Sequence, residues 1–205
     1  MTEKVVSEIK KRLREPLPGK SAQFQMAPSF RISITKKDVS AQAGVMVLLY
    51  PNPTQLHLVL IKRTEYPGTH SGQISFPGGK FEKTDQSFIE TALRETEEEI
   101  GVKMSDIEIL GQLTPLYIPA SEFEVYPVVG FTKSMPLFRI DKNEVQYLIE
   151  TDLDFLLNPS TKSIKLYTIE EYQGDVPYFN IEGNEVWGAT AMILNEFLEI
   201  IKPEP

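Results

Sequence analysis

The apolar positions along the chain fall into two patterns, continuous runs that suit buried strands and stripes that suit amphipathic helices. Gly44 to Tyr50 is nearly all apolar and predicts a buried strand. Pro51-Asn52-Pro53 marks a turn, and Leu56 to Ile61 predicts a second strand returning against the first as a hairpin. Gln73 to Phe76 predicts a short strand, Ile107 to Leu110 and Leu113 to Tyr117 supply more strand material, and Glu124 to Phe131 another strand, with Pro127 marking an edge or bulge. Glu144 to Ile149 begins a further strand, and Asp152 to Leu157 a short helix that Pro159 breaks. Ser163 to Ile169 and Tyr178 to Ile181 suit a late hairpin. Val5, Val6, Ile9 and Leu13 form a helical stripe over residues 3–14, which Pro16 and Pro18 end; a last amphipathic helix follows Ala191 and ends near Ile201. Residues 16–40 show no clear period and are expected to wrap the surface. The expected organisation is one domain, residues 41–205, with residues 1–40 part of it.

One predicted helix carries an electrostatic conflict. Ser87 is a candidate N-cap with Glu90 three residues on, and the helix runs to Ile100. Ile89, Leu93, Thr96 and Ile100 share an arc expected to face the core. Glu95, Glu98 and Glu99 fall on the opposite side at i, i+3 and i+4, where like charges repel. They also lie toward the C-terminal end, where the helix dipole disfavours negative charge. A plain solvated acidic face is the simplest account. A divalent cation would relieve both penalties, because carboxylate oxygens are hard ligands suited to Mg²⁺ or Mn²⁺.

The composition narrows the function classes. The chain has 205 residues, a net charge of −8 and no cysteine. Cysteine-ligated zinc, disulfides and thiolate catalysis are thereby excluded. The acidic balance argues against a general nucleic-acid or membrane-surface binder, so neither is expected as a partner. The first residues lack the apolar run of a secretory signal, which leads to an expected cytoplasmic location. His57 stands in a strand with no carboxylate near it in sequence and reads as a surface or structural residue. Trp187, the single tryptophan, could stack on a ligand base, but its apolar neighbours favour core packing.

Arg94-Glu95-Thr96-Glu97-Glu98-Glu99-Ile100-Gly101-Val102 resembles the second half of the Nudix box, with Thr96 a soft match at an aliphatic position. In the first half, counted from Gly79, Asp85 stands near the place of the box's first glutamate, and one extra residue precedes Arg94. Upstream, Arg63, Gly72 and Phe76-Pro77-Gly78-Gly79 are similar in spacing to the signature of the coenzyme A pyrophosphatase branch. Thr64 replaces its small residue, and Gly68 its second arginine. Runs at Val125–Gly130, Asn143–Val145 and Trp187–Ala191 also resemble that branch, so the likeness covers about residues 40–200.

The resemblance implies an α/β fold, a Nudix-type α/β/α sandwich with a mixed sheet and a catalytic loop-helix-loop. It implies a pyrophosphohydrolase using Mg²⁺ or Mn²⁺. Glu95 and Glu99 are the preferred metal ligands, with the Gly79 carbonyl completing the shell. Glu98 is a further ligand or the base that orients water, and Glu144 the rival base, unless it is only a solvated turn residue. Arg94 holds a carboxylate in place. Arg63, Lys80 and Gly78 are candidates for substrate phosphates. The implied substrate is a small nucleoside diphosphate derivative, coenzyme A or an acyl-CoA, cut to 3′,5′-ADP and a 4′-phosphopantetheine product. Another nucleoside diphosphate derivative, such as ADP-ribose or a dinucleotide, stays open because of Gly68, as does a non-catalytic ligand-binding role; a homodimer is compatible with the resemblance.

Overall fold

The apolar run at Gly44 becomes the axis of the sheet. In the computed structural model, residues 2–33, 39, 41–53, 55–65, 71–169 and 172–203 are described. Eight strands form one mixed sheet: β1 (Ala41–Pro51), β2 (Leu56–Arg63), β3 (Ile74–Ser75), β4 (Gly78–Lys80), β5 (Ile107–Gln112), β6 (Leu116–Ile118), β7 (Phe123–Thr132) and β8 (Val145–Asp152). Three more, β9 (Lys162–Ile169), β10 (Tyr172–Ile181) and β11 (Asn184–Trp187), form a separate antiparallel sheet in the order β11-β10-β9.

β1 runs parallel to β7 from Ala41↔Phe123 to Leu49↔Phe131. Its other edge is divided between two partners. Ala43–Val45 pair with β4, and Leu49–Pro51 pair with β2. The expected hairpin of β1 and β2 is therefore confined to its tip, because β2 pairs with β8 along His57–Arg63. The strand at β4 was not expected. Its two glycines present no side chain, so the turn after Phe76 is drawn flat against β1.

The helices are α1 (Thr2–Arg12), α2 (Gly19–Gln23), α3 (Phe88–Ile100), α4 (Leu153–Leu157) and α5 (Gly188–Ile201). Both faces of β1 are covered, which is why its sequence is a continuous apolar run rather than an alternation. Met46, Leu48 and Tyr50 pack with Ala92 and Ile100 of α3. Val47 and Leu49 face the opposite way, into a core shared with Ala191, Leu194 and Phe197 of α5. The result is an α/β/α sandwich. Val6 and Ile9 of α1 join the α5-side core, and Arg12 Nη1 donates to the Ile200 carbonyl at 3.1 Å. Residues 16–33 are not featureless: they hold α2 and two short 3-10 turns. The Gln23 amide donates to Glu196 at 2.7 Å and to the Thr114 carbonyl at 2.8 Å, which fixes this segment to α5. The late hairpin is longer than expected, since β9 pairs with β10 from Tyr172 onward, and Asn184–Trp187 forms a third strand before α5. Among the described residues, no helix is long and apolar enough to cross a membrane.

Candidate active site

The loop before α3 is closed by one buried carboxylate. Asp85 Oδ2 accepts from the Glu82 N–H at 3.0 Å and from the Thr91 hydroxyl at 2.9 Å. Arg94 then grips both Asp85 oxygens, Nε to Oδ1 and Nη2 to Oδ2, each at 3.0 Å. This two-pronged pair is the strong geometry of arginine with carboxylate, and it holds the Asp85 carboxyl well below the usual carboxylate range. Ser87 caps α3 by accepting from the Glu90 N–H at 3.3 Å, while Glu90 reaches back to the Gln86 N–H at 2.6 Å. Asp85 thus ties the loop before α3 to Arg94 of the helix.

The same Arg94 organises the helix face. Its Nη1 donates to Glu95 at 2.8 Å and to Glu98 at 2.9 Å, and its Nη2 to the Lys80 carbonyl at 3.2 Å. The expectation that Arg94 holds a carboxylate is met by three of them. The Lys80 side chain itself is exposed.

The three glutamates do not share one environment, contrary to the expected acidic face. Glu99 is fully buried. Its Oε2 accepts the Gly78 N–H at 2.8 Å, and its Oε1 accepts from Arg63 at 2.9 Å. Glu95 is half-buried against β4, and a Cβ at Gly79 would lie 2.5 Å from its carboxylate atoms. Glu98 is the exposed one, with 58% of its side chain in solvent. The physical reason is the closeness of α3 to the sheet. A Cβ at Gly44 would come within 2.4 Å of the Phe88 carbonyl, so the helix lies directly on the backbone of β1. A wider arc is then covered than the apolar stripe alone would bury.

Gly78 turns its N–H to Glu99, while Gly79 is held in the ladder. Gly79 is opposite Gly44 in the ladder, between the bonds Met46 N–H to Pro77 carbonyl and Phe81 N–H to Gln42 carbonyl. Alternate residues of an antiparallel strand bond to the same neighbour. The Gly79 N–H and carbonyl thus pair with Gly44 of β1, which leaves the carbonyl's second lone pair as the one that could serve an ion. The Gly78 N–H reaches Glu99, and its carbonyl lies 3.5 Å from Arg63 Nη1. Gly78 has φ 151°, and a Cβ there would lie 2.4 Å from the Gly44 carbonyl oxygen.

A third carboxylate arrives from a distant segment. Gly101 ends α3 in the left-handed conformation at φ 74°, with its N–H bonded to Glu97. The orphan carbonyls of the last turn are taken by a connecting segment: Arg139 N–H bonds to Ile100 at 2.9 Å and Asp141 N–H to Glu99 at 3.0 Å. Three residues later stands Glu144, whose carbonyl accepts the Thr64 N–H at 2.9 Å. Carboxylate oxygens of Glu95, Glu99 and Glu144 lie within 4.8 Å of one another. Burial pushes the Glu99 carboxyl up to about 7; Arg63 and the Gly78 N–H oppose that rise, and Glu95 and Glu144 add to it. Burial also raises Glu95, against the pull of Arg94.

This donor set suits a hard divalent ion. Magnesium takes oxygen ligands at about 2.0–2.1 Å in octahedral geometry, so neighbouring oxygens on one ion stand about 3 Å apart and opposed ones about 4 Å; carboxylates within 4.8 Å of one another reach that arrangement by a small closing of their side chains. Arg63 is turned into this cluster by its bond to Glu99 rather than left to meet solvent. Gly68 lies outside the described residues. Trp187 is not in either core: it is half-buried, and its indole stacks on Tyr167 with ring centroids 5.6 Å apart. Apolar neighbours in sequence had suggested otherwise, but they belong to α5, and Ala191 and the residues after it enter the core without the indole.

Residues 41–181 match the model of the NUDIX domain. The chain belongs to the Nudix family. Two curated relatives are described as uncharacterized Nudix hydrolases NudL. The one from Pectobacterium atrosepticum is 36% identical over 89% of this chain and 92% of its own length. The one from Yersinia enterocolitica is 32% identical over 97% of this chain and 98% of its own length. Among solved structures, the MutT protein of Methanosarcina mazei Go1 overlays with a TM-score of 0.52 at 18% identity, covering 82% of this chain and 96% of that one. The Nudix match stops before β11 and α5, whereas the Yersinia relative, matched over 97% of this chain, extends across them. This Nudix hydrolase acts on pyrophosphate linkages, and its family generally uses divalent metal ions.

Proposed function

We propose that this Nudix hydrolase is a divalent-metal-dependent diphosphatase of coenzyme A or acyl-CoA, releasing 3′,5′-ADP and 4′-phosphopantetheine or its acyl form. The observation that carries the reaction is the meeting of Glu95, Glu99 and Glu144 within 4.8 Å beside the Gly78 peptide. Those three carboxylates, with the Gly79 carbonyl, are the groups that would hold Mg²⁺ or Mn²⁺. The ion would neutralise the diphosphate and lower the pKa of bound water. The coenzyme A assignment is supported by Arg63, Gly72 and Phe76–Gly79, the residues that resemble the branch signature.

The remaining roles follow from placement. Glu98, exposed and steered by Arg94, accepts a proton from the attacking water. The water oxygen bonds to one phosphorus, the bridging P–O bond breaks, and the leaving phosphate takes up a proton. Arg94 is a positioning residue that fixes Glu95 and Glu98 against Asp85. Arg63 holds Glu99 and stands close enough to meet a substrate phosphate once an ion takes over that carboxylate. Lys80, exposed beside β4, offers a second cation to the diphosphate. A second reading keeps the chemistry and changes the substrate to ADP-ribose or a dinucleotide. It is favoured by Gly68, which stands where the branch signature has an arginine. Mass-spectrometric product identification with Mg²⁺ and Mn²⁺ on coenzyme A, acyl-CoA, NADH and ADP-ribose separates the two. Intact coenzyme A alongside cleavage of another compound would overturn the first.

A further inference from the structure

Three aromatic residues, Tyr147, Trp187 and Tyr167, are tied together beyond the segment that carries Glu144. β8 starts right after Glu144, and Tyr147 follows three residues on, about 10 Å along a strand. Tyr147 is exposed, and its hydroxyl donates to Asn184 Oδ1 at 2.9 Å at the start of β11. β11 ends at Trp187, whose indole stacks on Tyr167 of β9 at 25° between planes. Tyr167 is in turn pinned by Glu185, which also pairs with Lys165 at 2.8 Å, and the Lys165 ammonium lies 5.1 Å from the Tyr167 ring centre. The platform is fastened to the catalytic turn from a second side as well. The Thr190 hydroxyl donates at 2.9 Å to the carbonyl of Ile74, in the strand that leads into Gly78.

Three properties mark this as more than packing. The indole belongs to neither core cluster, although aromatic rings of this size usually end in one. The indole is half-buried, so part of it meets solvent. A cation stands on Tyr147's face, because Lys62 is directly opposite Tyr147 in the β2–β8 register and opposed residues share a face; this is the α5 side of the sheet, Arg63 being turned to the other. In a chain of net charge −8, a lysine opposite an exposed tyrosine that is itself bonded to the strand of Trp187 suits a phosphorylated nucleoside.

Resting on the reading that the site cleaves a nucleoside diphosphate derivative, we propose that the Trp187–Tyr167 stack is the subsite for the substrate's purine base, with Lys62 meeting a phosphate on its ribose. The base lies on the indole, and the diphosphate turns around the start of β8, past Tyr147, to the Glu95, Glu99 and Glu144 cluster on the α3 side. The shelf then sets selectivity for the nucleotide half of the substrate, independently of the groups that cleave it.

Trp187 is the sole tryptophan, so the full-length, metal-free protein reports on this subsite by its own fluorescence. Titration with 3′,5′-ADP is expected to give a saturable change in emission; inorganic pyrophosphate and 4′-phosphopantetheine are expected to give none. Stacking of one base on an aromatic ring is worth roughly tenfold in affinity. Tyr167→Ala should weaken 3′,5′-ADP by about that factor, Trp187→Ala should raise KM about tenfold with a smaller change in kcat, and Trp187→Phe should restore most of the loss. Lys62→Met should weaken 3′,5′-ADP more than adenosine. Circular dichroism guards against misfolded variants. A fluorescence response to 4′-phosphopantetheine in place of the adenine nucleotide overturns the subsite, as does active hydrolysis with unchanged KM in Trp187→Ala. Absence of any metal-dependent hydrolysis with a normal 3′,5′-ADP response would instead remove the reaction assignment and leave the subsite standing.

Discussion

The buried Glu99 allows a quantitative test with no substrate at all. Its carboxyl is pushed from an ordinary 4.5 up to about 7. A tenfold change in an ionisation constant corresponds to about 1.4 kcal/mol, so ionising this group in the metal-free fold costs about 3 kcal/mol. The direction is fixed by which state holds the proton. Between 4.5 and about 7 the folded chain keeps a proton that the unfolded chain has released, so this contribution is complete below 4.5 and is lost as pH rises through 7. For a chain of this length 1 kcal/mol moves the melting temperature by about 2–4 °C. Glu99→Gln cannot ionise yet still offers an oxygen to the Gly78 N–H, and its Arg63 partner is part-exposed. In chelator, melting of the wild type should fall by about 10 °C more than melting of Glu99→Gln between about pH 5 and about pH 8. Millimolar Mg²⁺ or Mn²⁺ should return several degrees to the wild type at the upper pH and little at the lower, since a carboxylate ligand must be deprotonated. Melting temperatures of the two proteins that run parallel with pH in chelator would mean that the burial and crowding of Glu99 carry no electrostatic cost, and the prediction would fail.

Glu98→Gln should lower kcat by about 100-fold or more while leaving the melting temperature within a degree or two of wild type, as its side chain is mostly in solvent; steady-state kinetics with calorimetry decides it, and wild-type turnover in the folded variant would end its role as base. Asp85→Asn should cost about 3 kcal/mol in urea denaturation, since the buried end of the Arg94 pair is removed, and should also slow turnover by loosening Glu95. Gly44→Ala should cost about 3 kcal/mol or prevent folding, because its methyl would lie 2.4 Å from the Phe88 carbonyl; soluble expression and denaturant midpoint report it.

What could be read from the sequence was the part governed by local rules. The catalytic helix was predicted from Ser87 to Ile100, and α3 is observed at Phe88–Ile100 with Ser87 as its cap. β1, β2, β7 and β8 announced themselves through apolar runs. What could not be read depends on approach between segments. Periodicity placed Glu99 with Glu95 and Glu98 on a polar side, because an amphipathic pattern cannot express how closely a helix sits on a glycine. The strand at β4 was hidden because Gly78 and Gly79 carry no side-chain pattern to read. Glu144 was equally compatible with a solvated turn, and the bonds from Arg139 and Asp141 to the end of α3, with that of Thr64 to the Glu144 carbonyl, bring it to the other carboxylates. The bidentate grip of Arg94 on Asp85 joins residues nine apart and could not be read from spacing.

The contact of α3 with β1 at Gly44 has a consequence for how this protein can change over time. Where helices meet sheets through interlocking side chains, each exchange of one aliphatic residue for another shifts the helix a little. Here the spacing is set by main-chain atoms, Phe88 carbonyl against Gly44, and Gly78 against the Gly44 carbonyl. Those atoms are the same whatever the side chains around them become. The cores on either side of the sheet can therefore drift in sequence, and relatives can diverge widely in their aliphatic residues, while the carboxylates of α3 keep their height above the sheet. The cost of that tolerance is concentrated at two glycines, where the addition of a single methyl group is not absorbed.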